Sequence, residues 1–147
     1  MLCIGTSLLA LGQTASSQFQ RLTAGELQSG KVAASPRVYR KFRWVSEHTT
    51  AGEPFFQATW PRMYFPLDLW NPTFLDVADN PTPEYVQKAI RQLEANRVRY
   101  VLWSALLNDL NSNHIRTDHL RPMRAFLNEN YERIHVFVDQ DEVWKRK

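Results

Sequence analysis

The sequence predicts an α/β fold: a small three-layer sandwich with a mainly parallel sheet, helices on its faces and a C-terminal antiparallel hairpin. Two observations predict it. Helical stripes alternate with short apolar runs along the chain, the pattern of helix-strand units that lay strands side by side. The last two runs are joined only by Asp139-Gln140-Asp141, too short for a crossover, so the final strand must turn back as a hairpin edge. The length of 147 residues, 44% of them hydrophobic, suits one domain with a real apolar core.

Each element has its own signal. Ser35-Pro36 supplies a cap followed by proline at the first helical position, and Val38, Phe42 and Val45 follow on one face. This first helix stops near Thr49-Thr50-Ala51-Gly52, and Pro54 to Thr59 reads as a short buried strand. Pro61 to Trp70, interrupted by Pro66, is expected to form a short helix or turn, and Asn71 to Pro81, with Asn-Pro pairs at both ends, an ordered surface loop. Thr82 caps the next helix, Pro83 takes its first position and Glu84 complements its dipole; Val86, Ala89, Ile90 and Leu93 form its stripe and Asn96 its C-cap. Val98 to Trp103 is the second strand, and Leu106 to Thr117 a polar loop. Thr117 or Asp118 caps a last helix bearing Leu120, Met123, Phe126 and Leu127 on one side. Ile134 to Val138 and Glu142 to Lys145 are the closing strands.

Charge and motifs remove several function classes. The net charge of +3 equals that of Lys145, Arg146 and Lys147 alone, so the basic balance is no nucleic-acid footprint. Cys3 is the single cysteine, which rules out an internal disulfide and a cysteine-based zinc site. None of the 5 glycines builds a phosphate-cradling loop, and no cofactor is expected. Asp109, His114, Asp118 and His119 have nonspecific spacing for a metal site, and Asp139, Asp141 and Glu142 lack a calcium loop. Glu142 and Lys145, three apart on a strand, point to opposite faces and cannot form a nuclease-like pair.

Residues 1–20 carry no charge, and Leu2 to Leu11 is mostly apolar but shorter than the roughly 20 residues of a spanning helix. Three readings fit: a signal peptide without its basic n-region, a buried helix or tail, or the end of a membrane helix whose upstream part is missing. Residues 21–34 read as a linker and residues 35–147 as the single α/β domain.

The ordered set of Thr50-Ala51-Gly52-Glu53-Pro54-Phe55-Phe56, Tyr64-Phe65, Asn71-Pro72-Thr73, Leu93-Glu94, Val98-Arg99-Tyr100-Val101-Leu102, Tyr131 and Trp144-Lys145-Arg146 resembles the C-terminal extracytoplasmic domain of bacterial membrane glycosyltransferases that use polyprenyl-phosphate sugars. These are the protein mannosyltransferases and aminoarabinose transferases. The resemblance covers most of Leu22 to Lys147 and implies an accessory domain on the periplasmic side of the inner membrane. Its partners would be the membrane-helix portion of the same enzyme and a lipid-linked sugar or acceptor glycan. The membrane bundle and its acidic loop have no counterpart here, so no catalytic residue carries over, and the third reading of the N-terminus is favoured. A free-standing exported α/β module that binds a small ligand or sugar is the alternative, and a small soluble enzyme a third.

Two surfaces are candidates. Arg37, Arg40 and Lys41 share a helix face, with Arg43 nearby, and would look toward anionic headgroups or the lipid phosphate, unless that face is simply solvated. Trp60, Arg62, Tyr64, Asp68, Trp70, Asn71 and Asp76, together with Phe65, follow the first strand, where open α/β sheets bind ligands. Docking on the membrane portion ranks first for this group, packing over the sheet second, and sugar binding third.

Overall fold

The computed structural model describes residues 36–59, 61–73, 82–108 and 118–147. The N-terminal segment and linker, Cys3, Trp60, Asp76, Asp109, His114 and Thr117 lie outside them. The element order is α1 (Pro36–His48), β1 (Phe55–Gln57), α2 (Pro83–Ala95), β2 (Tyr100–Trp103), a 3-10 turn (Ala105–Asn108), α3 (Arg121–Asn130), β3 (Tyr131–Val136) and β4 (Glu142–Arg146).

A four-stranded mixed sheet in the order β1-β2-β4-β3 organises the fold. The expectation of a mainly parallel sheet is not met: β1 pairs parallel with β2, but β2–β4 and β4–β3 are both antiparallel. The hairpin explains this. Its turn, closed by Phe137 N–H to Asp141 O at 2.8 Å and Gln140 N–H to Phe137 O at 2.8 Å, holds β3 and β4 adjacent, and β4 takes the place beside β2. The expected hairpin forms, yet its edge is β3. Val143 is fully buried and Trp144 partly buried against opposite cores, whereas Glu132 to Val136 are exposed. The strand with apolar groups on both faces goes inside.

Side-chain alternation divides the interior into two cores. Phe56, Val101 and Trp103 pack with Val86, Ala89 and Leu93 of α2 and Met123 and Leu127 of α3. Phe55, Tyr100, Leu102 and Val143 pack with Phe42 and Val45 of α1 and with Met63, Leu67 and Leu69 of the turn after β1. Strands β1 and β2 are buried throughout, as strands covered on both faces must be. Each fully buried Leu or Phe contributes about 2 kcal/mol.

Local chemistry sets the joints. Gly52, at φ 74, closes the turn before β1, its N–H donating to Asp68 O at 2.7 Å. Arg99 clamps the same turn with Nε and Nη2 on the two oxygens of Glu53, both at 2.8 Å, and donates from Nη2 to His48 O at the end of α1 at 2.7 Å. Helix α2 starts and ends where expected, at Thr82 and Asn96, but the Thr82 side chain makes no capping bond. Helix α3 takes Leu120 as its N-cap residue instead of Thr117 or Asp118, and Asp118 pairs with Arg124. Tyr131 begins β3 directly after α3; its buried hydroxyl donates to Val98 O at 2.8 Å, and burial pushes its pKa up.

Candidate functional site

The C-terminal ends of parallel strands are where an α/β sheet leaves room for a ligand, because the flanking helices start or end there. Here β1 and β2 deliver Gln57, Thr59 and Ser104 to that edge, α1 brings the face of its first turns, and the β3–β4 turn brings Asp139 and Asp141. Together they enclose a cleft of about 370 Å³.

Its centre is an ionic clamp. Lys41 Nζ lies 2.7 Å from Asp139 Oδ2 and bonds Asp141 Oδ2 as well, with only 12% of its side chain exposed. Asp141 turns its other oxygen to the end of β2, accepting from Ser104 Oγ at 3.0 Å and Ala105 N–H at 2.9 Å. One carboxylate therefore ties α1, the hairpin turn and the start of the 3-10 turn together. Burial pushes the Asp139 carboxyl up, but the Lys41 ammonium more than offsets this and holds it below the ordinary carboxylate value.

The rim is cationic and apolar. Arg37 and Arg62 line the cleft, are exposed, and form no ion pair with a described residue. Leu106 on the same rim is 75% exposed, and Val138, next to Asp139, is 73% exposed. Exposed arginines beside exposed apolar side chains suit a ligand or surface with an anionic group and a hydrocarbon part.

The expected surfaces are redistributed. Of the helical cations, Arg37 reaches the cleft rim, Lys41 is taken by its two aspartates, and Arg40 is exposed outside the cleft. Arg43 pairs with Glu47 at 2.8 Å. The group after β1 divides between the two ends of that strand. Arg62 lies at the C-terminal end, on the cleft. Tyr64 packs edge-on against Phe55, and its hydroxyl accepts Gln57 N–H at 2.8 Å. Asp68, Trp70 and Asn71 lie back beside the start of β1, where Trp70 bridges Pro54 and Asn71 Oδ1 accepts Thr73 N–H at 2.9 Å. Trp70 is 44% exposed and Phe65 73% exposed, but neither lines the cleft.

Sequence reasoning missed Ser104, Asp139 and Asp141 as site residues. Ser104 carries a usable signal, standing just after the strand expected over Val98 to Trp103. The aspartates had none that was local, since Lys41 and Asp141 are 100 positions apart. Among the described residues no three His, Cys, Asp or Glu side chains gather to hold a metal, and no helix is long and apolar enough to cross a membrane. Comparison with protein-family models, curated proteins and solved structures returns no match for this chain.

Proposed function

We propose that this chain is an accessory extracytoplasmic domain of a bacterial membrane glycosyltransferase that uses a polyprenyl-phosphate-linked sugar donor. It acts on the periplasmic side of the inner membrane, partnered by the membrane-helix portion of the same enzyme, and is not catalytic by itself. The observation that carries the reading is the cleft at the C-terminal edge of β1 and β2. There Arg37 and Arg62 stand unpaired with any described carboxylate, next to exposed Leu106, while Lys41 is held inward by Asp139 and Asp141. A lipid phosphate offers the complementary pair of groups: an anion for the arginines and a hydrocarbon chain for the apolar rim. The placement of the family-like residues also supports it. Gly52-Glu53-Pro54 forms the turn into β1, Asn71 and Thr73 close a side-chain turn, and Trp144 lies on the interior strand. The finer reading of the fold as a three-layer sandwich is supported by the separate cores on the two faces of the sheet.

The test has two arms. Phosphatidylcholine vesicles containing undecaprenyl phosphate should retain the protein, and Arg37→Glu with Arg62→Glu should weaken retention more than tenfold, at about 1 kcal/mol per lost cation and a similar repulsion per added anion. Equal retention of the wild type and the double variant would remove the cleft from the reading. Genomic sequence in frame upstream of Met1 should encode several long apolar segments; a stop codon there would overturn membership of a membrane enzyme.

A further inference from the structure

On the opposite face of the sheet, α3 and the hairpin border a groove of about 500 Å³, inside the roughly 300–1,000 Å³ range of small-molecule sites. Its floor is built from the hairpin. Glu142, only 13% exposed, accepts Arg133 Nη1 at 2.7 Å on one oxygen and Trp144 Nε1 at 2.9 Å on the other. A single carboxylate thus fixes both a guanidinium and an indole ring in place. Among the described residues no ring or cation stacks on Trp144, in contrast to Trp44, which is stacked on His48 at 3.9 Å.

Both arginines of this groove are already paired, whereas Lys147 meets only carbonyl oxygens and exposed Glu132 forms no ion pair with a described residue. Arg133 is paired with Glu142 and Arg124 with Asp118, while Lys147 Nζ donates to Asn128 O at 3.0 Å and Glu129 O at 2.8 Å. Hydrogen-bonding capacity remains: Arg133 uses one guanidinium nitrogen, and Asn128 donates from Nδ2 to Arg124 O at 2.9 Å with its amide oxygen still available. An indole lining the groove, held by the same carboxylate as a paired guanidinium, and flanking groups of both signs, Lys147 and Glu132, offer no net site for a free ion and suit a neutral polyhydroxyl ring. The C–H face of such a ring packs on the negative π face of an indole while its hydroxyls meet Asn128 and Arg133.

We infer that this groove is a binding site for a neutral saccharide, with Trp144 as the stacking platform, Arg133 and Asn128 as the hydroxyl partners and Glu142 as the residue that positions the first two of these. The site is separate from the cationic cleft and depends on none of its residues. Preorganisation by Glu142 lowers the ordering cost of binding, which is what lets a solvent-exposed groove hold a weakly bound sugar.

The test is an NMR titration of the full chain with cellobiose, mannobiose and, as a charged control, glucose 1-phosphate. At least one neutral disaccharide should move the Trp144 indole N–H and the Asn128 side-chain signals saturably, with a dissociation constant on the order of 1–10 mM. Trp144→Ala should abolish the effect. Asn128→Ala, an exposed substitution that leaves the core intact, should weaken binding severalfold, so the outcome does not depend on the Trp144 variant folding. Absence of any saturable shift, shifts that survive both substitutions, or tighter binding of glucose 1-phosphate than of both neutral sugars would each overturn the assignment. A failure here leaves the vesicle result untouched, because the two experiments probe different faces.

Discussion

Lys41 is the residue on which the cationic cleft depends, because its ammonium is the only described cation bonded to both Asp139 and Asp141. Lys41→Met keeps the stem and removes the charge, leaving two part-buried carboxylates facing each other. The expected cost is about 2–4 kcal/mol at pH 7, read from urea unfolding. Its pH dependence has a definite sign. The folded-state pKa of Asp139 is lowered, so its contribution is present above the unfolded carboxylate value of about 4 and is lost as pH falls through the lower folded value. The gap between wild type and Lys41→Met should therefore be widest near neutrality and close below pH about 4. A gap that stays constant down to acid pH would show that the ionised aspartates do not carry the contribution of Lys41. In the sequence, Lys41 appears with Arg37 and Arg40 as one of several cations on a face expected to meet anionic headgroups or solvent; only the approach of the hairpin turn from the far end of the chain reassigns it.

At the scale of the element, helix ends show what local chemistry specifies and what it leaves open. Pro83 and Asn96 mark the ends of α2 in the sequence and in the structure alike. Beyond Asn96 the chain makes paired closing bonds, Arg97 N–H to Glu94 O at 3.0 Å and Val98 N–H to Leu93 O at 3.1 Å. This geometry normally takes glycine, yet Arg97 sits there at φ 46. Arg97→Gly should stabilise the protein by about 0.5–1 kcal/mol, visible as a higher thermal midpoint. An unchanged or lower midpoint would mean the Arg97 side chain itself contributes more than the strain costs. No sequence signal announces that strain, since arginine is not a left-handed residue by preference. The start of β3 is hidden for a related reason. Tyr131 ends α3 and opens the strand with no linker, and residues 132–136 are exposed, so burial imposes no alternation to read.

For the molecule as a whole, the mixed sheet sets the order of stability. Strand β2 is buried and hydrogen-bonded on both sides, by β1 and by β4, whereas β3 is an edge paired only with β4. Amides of Tyr100 to Trp103 should exchange with solvent only on global unfolding. Those of β3 that point away from β4 should exchange on the order of a hundredfold faster or more. Uniformly slow exchange along β3 would mean that a further strand or another chain covers that edge. Much of this architecture is legible in the sequence: the three helices, the buried strands, the hairpin and the capping residues of α2 follow from periodicity and turn chemistry, which act over a few residues. The order of the strands, the edge position of β3, the Lys41 clamp and the groove under Trp144 are not. They arise when the apolar faces of β4 bury against both cores at once, carrying Asp139, Asp141 and Glu142 across the fold to partners that no local pattern connects to them.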